Sequence, residues 1–107
     1  MKIIIVLVST LLLSMPIYSS AEDDICGSLE SLAGRIMESR QNDIPMSALV
    51  NELTKMEDKK LADLVRQMII DAYEISSYSS DSYKEKAVLE YRNSIYLECI
   101  KARKNSK

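Results

Sequence analysis

Two cysteines, Cys26 and Cys99, lie near the two ends of the chain that would remain after cleavage of an N-terminal export signal. The signal is indicated by Lys2, by an apolar run over residues 3–13 and by small residues that end at Ala21. Exported proteins meet an oxidising compartment, where a pair of cysteines ordinarily forms a disulfide. The sequence therefore predicts cleavage after Ala21 and a mature chain closed by a bond between Cys26 and Cys99.

The mature chain is predicted to form a single domain of residues 22–107, which is 86 of the 107 residues once the 21-residue signal is subtracted. So short a chain builds only a marginal core without a covalent link. Closing the 74-residue segment from Cys26 to Cys99 stabilises it by about 4 to 5 kcal/mol in a chain-entropy treatment. The alternative, two free thiols for redox chemistry or metal binding, has neither a C-x-x-C spacing nor any histidine to support it.

The charge balance argues against a nucleic-acid partner, and the hydropathy pattern argues against a membrane anchor. The chain has 14 basic and 16 acidic residues, and removal of Lys2 with the signal leaves 13 against 16, a net charge of −3. A nucleic-acid partner would require a basic face, so we expect none. No later segment approaches the roughly 18 apolar residues of a bilayer span, which predicts no stable membrane anchor. The expected location is exported, either periplasmic or extracellular.

Helical periodicity accounts for the first half of the mature chain. Apolar residues recur at helical spacing from about residue 24 to residue 41, and the segment that ends with Pro45 stops this first helix. A short second helix follows, with Ser47 as its N-cap, and ends near residue 55 or 56. The apolar faces consist of Ile25, Leu29, Leu32, Ala33, Ile36 and Met37 in the first helix and Leu49, Val50, Leu53 and Met56 in the second.

The second half of the chain contains the clearest amphipathic pattern. It predicts a third helix over residues 58–74, followed by a serine-rich loop over residues 75–81. A fourth helix then runs to about residue 102 or 103, and its cap is Ser82, in a capping box with Glu85, or one of the three residues before it. The apolar face of the third helix is formed by Leu61, Leu64, Val65, Met68, Ile69 and Ala72, and the alternative caps of the fourth are Ser79, Ser80 and Asp81.

These patterns predict an all-α fold, a small array or bundle of about four helices closed by one disulfide. Strict alternation of apolar and polar residues is absent, and only two glycines and two prolines are available to form hairpin turns. Whether the helices pack as an antiparallel bundle or cross at steeper angles stays open at this stage.

The residue inventory argues against catalysis. The chain contains no histidine, which removes the commonest general base and metal ligand together with Ser-His and Cys-His nucleophiles. The paired carboxylates lie at predicted helix starts, where capping explains them. We therefore expect no enzyme, no catalytic residue, no metal site and no cofactor.

A strip of small residues on the first helix, Gly27, Ser31 and Gly34, is a candidate contact surface. These residues share an arc that lies nearly opposite the apolar face, and a glycine inside a helix costs about 1 kcal/mol relative to alanine. The strip would let another backbone approach closely, from the fourth helix, from a second copy or from a target. An ordinary solvated face is the simpler interpretation and the one we favour.

Other candidate contact residues are the exposed tyrosines Tyr78 and Tyr83, which flank residues 79–82, and Ile70, which lies away from the main face of the third helix. Tyrosine suits interfaces because it combines a large apolar ring with a polar tip, although such residues more often border a small core. Four long polar side chains are candidates for binding an anionic group, but solvated or ion-paired roles are favoured for them. They are Arg35, Arg40, Gln41 and Arg92.

Several segments together resemble a group of small exported helical proteins of bacteria and their phages, which carry one cysteine near each end. The resemblance rests on Cys26, residues 36–41 and 44–47, residues 69–74, residues 91–93 and 96–98, and Cys99. It covers nearly all of the mature chain. It implies a bacterial periplasmic address, and it implies no catalytic residue.

Three hypotheses of function follow. The first is an exported helical protein that acts through protein contacts, as an accessory protein, an inhibitor or an envelope-stress factor, with an unknown protein or a second copy as its partner. The second is an acid-activated periplasmic chaperone, whose switch would have to use carboxylates because histidine is absent. The third and least favoured is a small hydrolase that uses carboxylates.

Overall fold

The computed structural model describes the backbone of residues 21–105 and the side chains of residues 25–104. The helices in this part of the chain are α1 (Ala21–Gln41), α2 (Met46–Glu52), α3 (Lys59–Tyr73) and α4 (Asp81–Asn105), and a 3-10 turn (Leu53–Lys55) extends α2. No strand occurs among these residues, so the predicted all-α class with four helices is confirmed. The predicted signal peptide, residues 1–21, falls almost entirely outside the described residues.

The predicted disulfide joins the start of α1 to the end of α4. Cys26 and Cys99 are bonded with their Cα atoms 5.6 Å apart, and Cys26 is buried. Further contacts pair Gly34 with Arg92 and Gln41 with Lys84, so residue numbers fall on one helix as they rise on the other. The two longest helices are therefore antiparallel neighbours, and their interface is the most extensive in the fold.

The core lies where α3 packs against α1 and α4. Met37 of α1 and Ile69 of α3 are among the largest side chains that are completely buried. Leu53 of the 3-10 turn and Tyr91 of α4 complete the core from its two sides. The remaining members of this cluster are Ala33, Ile36, Val65, Met68, Ala72 and Ala87.

The buried face of α3 contains four of the six residues predicted for it, Val65, Met68, Ile69 and Ala72, and differs at the other two. Leu61 and Leu64 were expected in the core but are 40% and 44% exposed, whereas Ala62 is buried. A helix packs closely where its side chains are small, so α3 turns Ala62 and Ala72 toward its neighbours and leaves the two leucines at the edge of the interface. The sequence pattern gives large apolar residues most weight, and for this reason the prediction was wrong at Leu61 and Leu64.

Two helix starts agree with the cap rules and a third does not. Asp58 caps α3, since its carboxylate accepts a hydrogen bond of 3.1 Å from the Leu61 amide. For α4, Ser80 is the cap among the alternatives, because its hydroxyl oxygen accepts from the Tyr83 amide at 3.3 Å. The predicted cap Ser47 is wrong: α2 begins at Met46, and the preceding proline, whose backbone is extended, takes the cap position without a side-chain bond.

Candidate functional site: a tyrosine-lined pocket and an apolar groove

The serine-rich loop between α3 and α4 is held in place by the last turn of α1. Gln41 is only 2% exposed and is the one buried polar residue in the described part of the chain. Its Nε2 donates to the Ser76 carbonyl at 2.8 Å, and its Oε1 accepts from the Tyr78 amide at 2.8 Å. Arg40 adds a bond of 2.8 Å from its Nε to the Ile75 carbonyl. One end of α1 therefore supplies the partners that a loop backbone needs when it leaves water.

Two further contacts tie the same corner together. The Ser77 hydroxyl donates to the Asp43 carboxylate at 3.0 Å, and Asp43 itself adopts the left-handed conformation, with φ 61°, that reverses the chain after α1. Lys84 donates from Nζ to the Gln41 carbonyl, which places a cation at the negative end of the α1 dipole. The loop is thus ordered by side chains that are far away in sequence.

A pocket of about 480 Å³ opens between this loop and the N-terminal half of α4. The rings of Tyr78 and Tyr83 form one wall, with centroids 5.9 Å apart and planes tilted by 39°. Lys86 and Glu90 lie at the rim and form an exposed ion pair of 3.8 Å. Both tyrosines of the wall are exposed, at 39% and 61%, so their rings are accessible to a ligand or a partner.

Tyr91 forms the inner end of the pocket and anchors α4 to α3. Its side chain is buried, and its hydroxyl donates to the Met68 carbonyl at 2.6 Å. Burial raises the pKa of Tyr91 far above its usual range, and the negative charge of Asp71 raises that pKa further. The hydroxyl consequently keeps its proton and remains a donor.

A second surface is an open groove between α1, α2 and α3, with a volume of about 420 Å³. Its walls are almost wholly apolar, and Leu61, which the sequence placed in the core, stands at its edge. The apolar lining consists of Leu32, Ile36, Leu49, Leu53, Met56, Leu61, Val65 and Ile69. Because these residues come from three helices and the 3-10 turn, no single amphipathic pattern identifies the groove.

The polar residues of the groove are Arg35, Ser39 and Glu52. Glu52 forms an ion pair of 3.3 Å with Lys55, and the Ser39 hydroxyl bonds to the Arg35 carbonyl. The exposed guanidinium of Arg35 has no ion pair with any described residue. The groove therefore carries an uncompensated positive charge at its border.

The three residues of the small-residue strip predicted on α1 have different surroundings. At Gly34 an added Cβ would lie 2.9 Å from Cδ of Arg92, which crosses over the glycine and forms a 3.1 Å ion pair with Glu30. The side chain of Arg92 on α4, and not its backbone, therefore occupies the space next to Gly34. Gly27 has no neighbour within 4 Å of such a Cβ, and Ser31 is exposed.

The other predicted contact residues are spread over the molecule. Tyr78 and Tyr83 meet at the pocket wall, while Ile70 is half-buried on α3. Of the four candidates for binding an anion, three make internal contacts and only Arg35 faces solvent without a partner among the described residues. The sequence analysis missed the groove. The signal available in the sequence was that Leu61 and Leu64 do not lie on the same side of the helix as Ala62.

Comparisons with protein-family models, with curated proteins and with solved structures found no match to this chain. Among the described residues, no helix is both long and apolar enough to cross a membrane. In the same part of the chain, no three side chains of the metal-ligating types histidine, cysteine, aspartate and glutamate come together as a metal site requires. The groove and the pocket are the two concave surfaces that the proposals below address.

Proposed function

We propose that this protein is an exported, disulfide-closed helical protein that acts by binding another protein, and that the apolar groove is its binding site. The observation that carries the proposal is the groove itself, in which Leu61 is exposed, Leu32, Leu49 and Met56 are half-buried, and four buried core side chains complete the apolar lining. Apolar surface of this kind is costly to leave in water and is typical of interaction sites. Leu61, a lining residue that is 40% exposed, gives a partner direct access to this apolar surface.

The partner that fits this groove is an amphipathic helix with an acidic residue beside its apolar face. A groove between helices receives the apolar side of another helix through residues spaced three and four apart. Arg35 supplies the charge to be matched, because its guanidinium has no ion pair among the described residues. Charge pairing at a rim of this kind sets orientation and specificity more than affinity.

Export and a non-catalytic role are part of the same proposal. A disulfide between Cys26 and Cys99 is compatible with an oxidising compartment, and the resemblance to small exported proteins of bacteria favours the periplasm. The lack of histidine in the whole chain favours binding over acid-base chemistry. The accessory, inhibitor and stress-factor roles all require the same surface.

The experiment is affinity capture from native envelope with the oxidised mature protein and two matched variants. Leu61→Lys places a charge at the groove, and Leu97→Lys places the same charge at an equally accessible leucine of α4, since the two residues are 40% and 51% exposed. We expect one specific protein to be captured by the wild type and by Leu97→Lys but lost with Leu61→Lys. Reversing the rim charge with Arg35→Glu should weaken that capture.

The proposal fails if the same proteins are captured by all the variants, or if Leu97→Lys loses them as completely as Leu61→Lys. It also fails if the wild type captures nothing specific while a substrate is turned over. Circular dichroism of each variant verifies that the helices are intact, so that lost capture is not lost folding.

A further inference from the structure

The tyrosine-lined pocket differs from the groove in chemistry as well as in place. Three of the six tyrosines in the chain, Tyr78, Tyr83 and Tyr91, border this one pocket, and the carboxylate of Glu90 lies at its rim. The face of an aromatic ring carries negative electrostatic potential, so several rings around one cavity attract positive charge. The pocket therefore combines aromatic faces with one formal negative charge.

The geometry of the tyrosine wall suits a single cation. The centroids of Tyr78 and Tyr83 are 5.9 Å apart. A cation–π contact reaches to about 6 Å from the ring centroid, so one cation at the open side of the pair is within reach of both rings. Tyr91 closes the inner end of the pocket, and Glu90 stands at its outer border. The volume of about 480 Å³ is within the range of small-molecule sites.

The kind of hydrogen-bond acceptors in the pocket bears on which cation fits. A lysine ammonium or an arginine guanidinium must satisfy three or more N–H donors when it leaves water. Glu90 is the one carboxylate among the pocket residues, and the other side-chain acceptors are uncharged hydroxyls of tyrosine and of Ser94. A quaternary ammonium group has no N–H donor, so it loses no hydrogen bond when rings surround it.

The loop that carries Tyr78 is ordered before any ligand arrives. Gln41 binds the backbone on both sides of Ser77, and Arg40 binds the carbonyl of Ile75, which also lines the pocket. A site whose wall is already fixed loses less conformational entropy on binding. The need to order this loop explains why the buried Gln41 side chain forms its hydrogen bonds with an exposed loop.

We propose that the tyrosine-lined pocket binds a quaternary ammonium group, held by the exposed rings of Tyr78 and Tyr83 and by the charge of Glu90, with Tyr91 as the buried end of the pocket. The inference does not depend on the apolar groove or on its partner. Lys86 pairs with Glu90 at 3.8 Å in the free protein, and both side chains are 67% exposed, so the pair is weak and the ligand displaces the lysine.

The test is a titration of the oxidised mature protein with choline at low salt, followed by nuclear magnetic resonance of the backbone amides. We expect saturable shifts in the loop 75–80 and in the first turns of α4. Dimethylbutanol, in which carbon replaces the charged nitrogen of choline, is the matched control and should bind at least about threefold more weakly. Equal affinity for the two compounds overturns the proposal, as does the absence of saturable shifts with choline.

Variants assign the contacts. Tyr83→Ala should weaken choline binding by about 3- to 30-fold, the range of one cation–π contact, and Glu90→Gln should weaken it as well. Lys86→Gln should strengthen it, because the competing cation is removed. Tyr96→Ala, on the same helix but outside the pocket, is the control. The proposal is overturned if Tyr83→Ala and Tyr96→Ala bind choline alike, or if Lys86→Gln binds it more weakly than wild type.

The same group occurs in small solutes and in lipid headgroups, so vesicles distinguish the source. Binding to phosphatidylcholine vesicles that free choline competes away supports a lipid headgroup, whereas binding of choline alone supports a small solute. Vesicle binding that choline does not compete away, in a protein that gives no choline shifts, contradicts the proposal because the contact would then lie elsewhere.

Discussion

At the scale of single residues, Gln41 has the widest influence on the candidate sites. It ends α1, and its amide makes two hydrogen bonds that hold a loop more than thirty residues away in sequence. A buried amide is tolerated only when its donors and acceptors are satisfied, and the loop backbone is what satisfies Gln41. The shape of the tyrosine-lined pocket therefore depends on one side chain that lies outside it.

Replacement of this side chain by Gln41→Leu should lower the free energy of unfolding by about 2 kcal/mol, because the Ser76 carbonyl and the Tyr78 amide lose their partners in a part-buried place. Urea denaturation gives the value. The matched control is Gln67→Leu, where the lost bond to Asp71 is exposed and a change below about 0.5 kcal/mol is expected. Equal losses in the two variants would show that Gln41 does not clamp the loop.

Tyr91 predicts a dependence of stability on alkaline pH. Burial raises the pKa of Tyr91 in the folded state, whereas in the unfolded chain its hydroxyl ionises at about pH 10. The neutral form is favoured by folding, so the stabilisation is fully present below about pH 10 and is lost progressively as the pH rises above that value.

Comparison with Tyr91→Phe isolates this effect. At pH 8 the variant should be about 1 kcal/mol less stable, since the bond to the Met68 carbonyl is lost. Between pH 10 and 11 the difference should shrink, because only the wild type has this tyrosine to ionise. Urea titrations at each pH measure it, and parallel curves for the two proteins would contradict the assignment. Burial also raises the pKa of Tyr73, but Tyr73 is present in both proteins, so its contribution cancels in the difference.

At the scale of elements, the orientation of α3 creates the groove. Ala62 and Ala72 face inward and allow close packing, which leaves Leu61 and Leu64 at the surface. If Leu61 were buried as predicted, the groove would lose its edge. The position of two alanines thus determines where apolar surface remains exposed.

This orientation predicts a larger loss of stability for a substitution at Ala62 than for one at Leu64. Ala62→Leu should cost about 1 to 3 kcal/mol of unfolding free energy, since Ala62 is 4% exposed in a packed interface. Leu64→Ala removes a larger side chain but should cost less than about 1 kcal/mol, because Leu64 is 44% exposed. Thermal and urea unfolding measure the loss of stability in each variant. A larger loss for Leu64→Ala than for Ala62→Leu would show that Leu64 belongs to the buried face, as the sequence predicted.

The helices themselves were predictable because their signals are local. The predicted third helix, residues 58–74, differs from α3 by one residue at each end, and the cap at Asp58 is visible in the sequence. The exposure of Leu61 and Leu64 on α3 was not predictable in the same way, because it depends on how closely other helices approach. The clamp at Gln41 and the contact of Gly34 with Arg92 also depend on tertiary placement, which no periodicity records.

At the scale of the whole molecule, the disulfide and the buried cluster act on different parts of the fold. The bond between Cys26 and Cys99 fixes one end of the α1–α4 pair, whereas the core gathers around Met37 and Ile69 toward the other end. A covalent link of this kind stabilises mainly by restricting the unfolded chain.

The central claim, that a partner occupies the groove, is tested most directly by site-specific photo-crosslinking in the native cell. A photoreactive side chain at position 61 lies at the groove edge, and one at position 97 is similarly exposed on α4 outside it. The account predicts one discrete crosslinked protein from position 61 and none of the same mass from position 97. Crosslinks of the same mass from both positions, or from position 97 alone, would contradict it.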